Sequence, residues 1–188
     1  GVPAVLCTAT QPALGRLFKQ LAPTLVQHEI APDPDELFDC FRRVSFCREG
    51  VFTPEKLAER LTETAQVLCI VNTRKRARQV YESLPEEGRF HLSTLMIPTD
   101  REKTLNAIRT RLQNGQTCRV VSTSLVEAGV DVDFPSVWRE LAGLDSILQA
   151  AGRCNREGRR SAAESVVHVF ETEGEFPASM TQQREAAT

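Results

Sequence analysis

What this chain lacks narrows its chemistry before any motif is read. No G-x-x-x-x-G-K-[ST] phosphate loop occurs, and none of the ten glycines is followed by lysine. The usual glycine-rich cradle for a nucleotide's phosphates is therefore not encoded here. No D-E-x-H/D box occurs either; Asp35-Glu36-Leu37-Phe38 copies only its start. No apolar run is long enough for a transmembrane helix, so no membrane association is expected. A signal peptide is also missing, and the opening Gly1-Val2-Pro3, without methionine, reads as a cut end. The six cysteines (Cys7, Cys40, Cys47, Cys69, Cys118 and Cys154) form no C-x-x-C pair. They read as buried free thiols of a reducing, cytoplasmic compartment, with no metal site expected. Aromatics are scarce, with one Trp, one Tyr and nine Phe, which leaves few surfaces for stacking bases. A net charge of −2 gives no global attraction to nucleic acid, so any such contact must come from local patches.

What is present has the size and composition of an ordinary globular domain with an attached piece: 188 residues, 41% hydrophobic and 26% charged. Val2–Cys7 reads as a short strand and Gln11–Ala22 as a helix with Leu14, Leu17, Phe18 and Leu21 on one face. A strand is expected around Phe41–Phe46. Thr53-Pro54-Glu55 opens a helix with a capping hydroxyl, a first-turn proline and an acid at the positive dipole end. From Gln66 a regular alternation begins. Strands are expected at Val67–Val71, Phe90–Met96, Arg119–Ser122, Ser136–Leu141 and Ser165–Phe170. Between them run helices through Ala77, Val80 and Leu84, from a capping box at Thr99–Glu102 to Asn114-Gly115, and over Asp145–Ala151. Apolar strands separated by amphipathic helices imply an α/β fold, a parallel sheet covered on both faces. Residues 1–22 read as the end of a preceding domain and 23–65 as linker and start of the next. Residues 66–172 read as the α/β domain itself and 173–188 as a polar tail.

Three groups of residues could carry chemistry. Arg153, Arg156, Arg159 and Arg160 put four guanidinium groups into eight residues. Such a loop is either a solvated basic turn or a phosphate clamp. Gly152 and the apolar helix before it favour the clamp, because forked guanidinium groups suit phosphoryl oxygens only when held rigidly. Ser122-Thr123 ends a strand ahead of Ser124–Ala128; the pair is either a plain helix cap or an anion site at a helix N-terminus. Gly129-Val130-Asp131 then supplies a turn and a carboxylate, expected at the carboxyl edge of the sheet, where open α/β sheets bind ligands. Asn72-Thr73-Arg74-Lys75-Arg76 follows a strand at that same edge, as an exposed helix face or a tracker of phosphates. His91 and His168 fall inside strand patterns and read as structural, and Trp138 as core or domain contact.

Taken in order, these segments resemble the motifs of superfamily 2 helicases. Thr8-Ala9-Thr10 resembles motif III, Val67–Arg74 motif IV, Val120–Asp131 motif V and Gln149–Arg156 motif VI. Within the superfamily, Val126–Phe134 and the run from Ala142-Gly143-Leu144-Asp145-Ser146 to Gly158 are similar to the CRISPR-associated helicase–nuclease of type I systems. That resemblance implies a second RecA-like domain, preceded by a short end-piece of a first. It implies a motor that uses ATP and Mg²⁺, bound mainly by a first RecA-like domain outside this chain, to move along single-stranded DNA. It also implies an HD-type nuclease domain and recruitment by an RNA-guided surveillance complex. By position, Arg153 and Arg156 would be catalytic, with Gly129, Asp131 and Gln149 at the nucleotide. Asn72, Thr73, Arg74, Ser122 and Thr123 would meet nucleic acid, and Thr8, Ala9 and Thr10 would couple the two. Another superfamily 2 RNA or DNA helicase, or a non-enzymatic anion-binding α/β module, are the alternative readings.

Overall fold

Strand and helix alternate along the chain: β1 (Ser45–Phe52), α1 (Pro54–Thr62), β2 (Gln66–Ile70), α2 (Arg74–Ser83), β3 (Arg89–Leu92), α3 (Pro98–Gln113), β4 (Cys118–Ser122), β5 (Ser136–Glu140), α4 (Leu144–Ala151) and β6 (Val166–Thr172). These elements come from a computed structural model, which describes residues 33, 36, 42–93, 95–123 and 131–173. The six strands form one sheet in the order β1-β6-β5-β2-β4-β3, and every pairing is parallel. Parallel neighbours need helical crossovers, and these cover both faces. On one face α3 and α4 bury Ile108 and Ala150 against Leu68, Val120, Phe134 and Val137. On the other, α1 and α2 bury Leu57, Leu61 and Val80 against Val67, Cys69, Trp138 and Phe170. Each fully buried Leu, Val or Phe contributes about 1.5–3 kcal/mol, so the two layers together carry the fold. The parallel sheet sandwiched between helices is the RecA-like α/β class expected.

Local signals set several boundaries. Thr53 caps α1, its Oγ1 accepting the N–H of Lys56 at 3.3 Å, with Pro54 in the first turn. Thr73 caps α2 in the same way, accepting from the N–H of Arg76 at 3.2 Å. Gly88 turns the chain into β3 at φ 70°, and a side chain there would meet the carbonyl oxygen of Thr117 at 2.3 Å. Only glycine fits that approach.

Three boundaries differ from expectation. β1 begins at Ser45 and runs to Phe52 rather than centring on Phe41–Phe46, because its partner is β6, with Ser45 opposite Val166 and Phe52 opposite Thr172. β3 ends at Leu92, where its pairing with Ser122 of β4 runs out. α3 starts at Pro98 with Ile97 in the cap position and no side-chain cap, so the Thr99–Glu102 spacing does not act as a capping box. The expected Val2–Cys7 strand, the Gln11–Ala22 helix and nearly all of the polar tail lie outside the described residues.

Candidate functional site

Six parallel strands share one carboxyl edge and one amino edge, and the residues singled out by sequence divide between the two. At the carboxyl edge, the residues that follow β2 and end β5 meet in a polar cluster. Arg139 and Glu140 close β5 with 1% and 0% exposure, although both carry charge. Charges buried this deeply persist only when hydrogen-bonded and neutralised. The Glu140 carboxylate pairs with the Arg76 guanidinium and accepts the N–H of Asn72 at 2.6 Å and the hydroxyl of Thr172 at 2.7 Å. Arg139 donates through Nη1 to Oδ1 of Asn72 at 2.7 Å and to its neighbour's carbonyl at 2.8 Å. Asn72 donates in turn to the carbonyl of Leu141 at 2.9 Å. The first predicted nucleic-acid residue is thus a bridge between two strand ends.

The rest of that group lies close by in the fold. Thr73 spends its hydroxyl on the α2 cap, and Arg74 is exposed in the first turn of α2. Of the basic residues beside it, Arg76 is turned to Glu140 and Arg78 to Glu82. Ser122 is fully buried and donates to the carbonyl of Thr123 at 2.9 Å. Thr123 is 5% exposed, and its Oγ1 has no hydrogen-bond partner among the described residues. Gly129 and the rest of the Ser124–Val130 segment, like Thr8, Ala9 and Thr10, lie outside the described residues.

Asp131 is not at the carboxyl edge. β5 runs parallel to its neighbours, and Asp131, just ahead of it, lies at the amino edge. There it meets the arginine loop. A bridge between Phe134 and Cys154 staples the loop to the entrance of β5, with Phe134 N–H donating to the Arg153 carbonyl and Asn155 N–H to the Phe134 carbonyl, both at 2.9 Å. Asn155 adopts φ 47° and is fully buried. Its amide donates to the carbonyls of Arg43 at 2.9 Å and Arg160 at 2.7 Å, while its oxygen accepts the N–H of Arg160 at 3.0 Å. A short polar side chain tolerates this left-handed turn and satisfies three backbone groups at once.

The loop so fixed presents its arginines side by side. Arg156 Nε lies 3.0 Å from Oδ1 of Asp131, both groups being open to solvent. The backbone N–H of Arg156 donates to Asp133 at 2.7 Å, and Asp133 also pairs with Arg160 at 3.3 Å. Arg109 of α3 steadies Asp131 by donating to its carbonyl at 3.1 Å. Arg153 is 8% exposed. Burial, followed by the positive charge of Arg156, lowers its pKa from the ordinary guanidinium value, and the carboxylate of Asp131 opposes the shift. Two guanidinium groups close enough to repel each other make a setting that favours an anion. Gln149 is exposed in the last turn of α4. Asp133, Asn155, Glu140 and Arg139 escaped the sequence reading. The signal for the last two was an adjacent pair of opposite charges inside an otherwise apolar strand.

A RecA-like sheet with this arginine loop and the ordered segments around it is the C-terminal RecA-like domain of a superfamily 2 helicase. More narrowly, the chain belongs to the family described as CRISPR-associated nuclease/helicase Cas3, C-terminal, whose model matches residues 63–159. It is similar to the CRISPR-associated helicase Cas3 of Thermoproteus tenax, 27% identical over 138 residues that cover 73% of this chain and 23% of that protein. With the Cas3 nuclease/helicase of Haloferax volcanii it shares 42% identity over 66 residues, 34% of this chain and 7% of that one. The chain therefore spans less than a quarter of those relatives. The crystal structure of T. fusca Cas3-AMPPNP superposes with a TM-score of 0.60 at 22% identity, covering 77% of this chain and 20% of that chain. T. fusca Cas3-ADP gives 0.59 at 22% identity, over 74% of this chain and 20% of that one. At such identity these two likenesses speak for the fold. Among the described residues, no helix is long and apolar enough to cross a membrane.

Proposed function

We propose that this chain is the second motor domain of an ATP-driven translocase on single-stranded DNA, working in CRISPR interference. The observation that carries the reading is the amino-edge corner, where Arg156 pairs with Asp131 beside the buried Arg153. The donor set fits a triphosphate: two neighbouring guanidinium groups on a rigidly backed loop. ATP supplies the phosphoanhydride. Arg153 and Arg156 bind and orient its phosphates and stabilise the charge that develops as the bond breaks, a contribution of about 10³–10⁵ in rate for such arginines. Gln149, Asp131 and Gly129 would face the nucleotide across the cleft. Mg²⁺ and most phosphate contacts belong to a first RecA-like domain. Residues 1–22 are the end of that domain, with Thr8-Ala9-Thr10 as its coupling segment. Residues 23–65 are the linker and start of the second domain, 66–172 the domain itself and 173–188 a tail. The similar T. fusca Cas3 structures with ADP, ATP and AMPPNP support the nucleotide, and a similar chain in a CRISPR RNA-guided surveillance complex supports that partner. An HD-type nuclease domain completes the proposed protein.

DNA would lie at the other edge. Asn72, Thr73, Arg74, Ser122 and Thr123 would line the track, with Arg74 and the neighbouring Lys75 supplying the charge, about 0.7 counterion released from a single strand for each cation–phosphate contact. Binding by this domain alone should be weak, insensitive to sequence and lost toward physiological salt. The separation of the two edges fits a motor, because fuel and track then bias one rigid body from different sides.

Phosphate release with Mg²⁺ and single-stranded DNA tests the proposal. The chain alone should read background, and the same chain joined to a domain carrying a phosphate loop and acid pair should turn over ATP. Sustained DNA-stimulated turnover by the chain alone would overturn the half-motor reading.

A further inference from the structure

At edge strand β1, outside both groups, three side chains of metal-ligand type converge. Cys47 stands opposite His168 in the β1–β6 register, and Glu49 lies two residues on along the same strand. The thiol, one carboxylate oxygen and an imidazole nitrogen all fall within 4.8 Å of one another. Nδ1 of His168 is 2.8 Å from Oε1 of Glu49. The ring is held in place, stacked on Trp138 at a centroid separation of 4.4 Å and an interplanar angle of 15°. Glu49 and His168 are largely covered, with 19% and 20% side-chain exposure, while Cys47 is exposed and leaves a route in from solvent.

We propose that Cys47, Glu49 and His168 form a binding site for a zinc-class divalent cation. The ligand set decides the metal. A thiolate, an imidazole and a carboxylate suit zinc, whereas magnesium and calcium prefer oxygen ligands throughout. Ligand atoms on a tetrahedral zinc stand about 3.4 Å apart, given bonds of about 2.0–2.3 Å. Side-chain movements of about 1 Å therefore suffice: the carboxylate and imidazole part slightly and the thiol closes in. Water takes the fourth position. Binding releases the thiol proton to solvent, so a dication meets two anionic ligands and a neutral ring. Without the cation, the Cys47 thiol is held above its usual range by local desolvation and by the charge and hydrogen bond of Glu49. The site would pin β1, the outermost strand among the described residues, to β6. This differs from the sequence expectation, which saw no C-x-x-C pair and took His168 as structural; ligands from two strands about 120 residues apart have no local spacing to read.

Cobalt substitution tests it. Titrated with Co²⁺, the chain should take up roughly one ion in tetrahedral, visible-absorbing form with a thiolate-to-cobalt charge-transfer band in the near ultraviolet. Zn²⁺ should displace it. Cys47→Ser, an exposed edge substitution, should abolish the charge-transfer band while keeping native circular dichroism, and Glu49→Gln should weaken uptake. Cys7→Ser/Cys40→Ser should leave the band intact. A folded wild-type chain with no tetrahedral cobalt signal would mean an ordinary Glu49–His168 pair only. A thiolate band that survives Cys47→Ser would equally overturn the proposal.

Discussion

Arg156 Nε and Oδ1 of Asp131 stand 3.0 Å apart, joining two segments that are 25 residues distant in sequence. Both side chains are well exposed, so the pair itself stabilises the fold by no more than about 1 kcal/mol. On the proposed function, the pair is a resting position from which the guanidinium would reach a phosphate. In the intact protein, Arg156→Ala should lower the kcat for ATP by about 10³ with an unchanged melting temperature. Near-wild-type turnover would put the finger on another residue. Arg153 is different because it is buried, and truncation would cost packing as well as charge. Arg153→Lys is the cleaner variant, keeping the charge and removing the fork.

Arg160 lies outside the helicase motif, yet it is not inert. It pairs with Asp133, whose other oxygen holds the backbone N–H of Arg156. Arg160→Ala should therefore lower turnover several-fold through a loosened loop. Among the described residues Arg159 pairs with the nearby Glu157, and it is 74% exposed, so Arg159→Ala should match wild type. Steady-state kinetics of the two variants side by side distinguish them. Equal, unchanged rates would remove Asp133 from the positioning of the loop.

The sheet was readable because its central strands are nearly all apolar: Val67–Ile70 and Val120-Val121 are buried on both faces and can hardly be anything else. α1 was readable through the Thr53-Pro54 cap. β1 was not, because Ser45–Phe52 alternates poorly, exposes Phe46 and Val51, and gains its order from β6. In the site, the arginines and Asp131 were legible as residue types at spacings. Their edge was not: Asp131 was read with the strand before it, at the carboxyl edge, although it lies just ahead of β5 and so at the amino edge of the parallel sheet. Asn155 was hidden for another reason. Its worth lies in a positive φ and three long-range backbone bonds, none of which leaves a local pattern.

Asn155 should accordingly be the most sensitive position in the loop. Asn155→Ala removes three hydrogen bonds from a fully buried turn and leaves a Cβ residue at φ 47°. A loss of about 2–4 kcal/mol is expected from orphaned backbone groups and strain together. Asn155→Gly loses the same bonds but relaxes the backbone, and should recover about 1 kcal/mol of that. Urea unfolding of the three proteins measures it. If the Ala variant proves as stable as wild type, the loop has another anchor.

Glu140 should be equally costly at the opposite edge. Its carboxylate is shared by Arg76, Thr172 and the backbone of Asn72, with Arg139 alongside. Glu140→Ala leaves the largely buried Arg76 guanidinium without this counter-charge and the Thr172 hydroxyl and Asn72 N–H without their acceptor, and about 3–5 kcal/mol should be lost. Glu140→Gln keeps the shape and one acceptor and should fall between. Denaturant midpoints decide, and a neutral Glu140→Ala would mean that solvent already reaches the cluster.

High pH should unfold this domain through its buried thiols. Cys69, Cys118 and Cys154 are 0%, 0% and 1% exposed. Burial pushes Cys118 and Cys154 up to about 12 each, and moves Cys69 further in the same direction, with the charge of Glu140 as a second cause. In the unfolded chain such thiols ionise near about 8.5. Between these values the folded state keeps protons that the unfolded state gives up, so stability must fall as pH rises. The contribution is complete below about pH 8.5 and is lost progressively toward pH 12, at up to about 1.4 kcal/mol per pH unit for each thiol. Urea midpoints should hold steady from about pH 7 to 8 and decline above about pH 9. Lysine and tyrosine titrate in the same range, so the slope is read against Cys118→Ala/Cys154→Ala, which should decline less steeply. Parallel slopes in the two proteins would show that these thiols do not hold their protons.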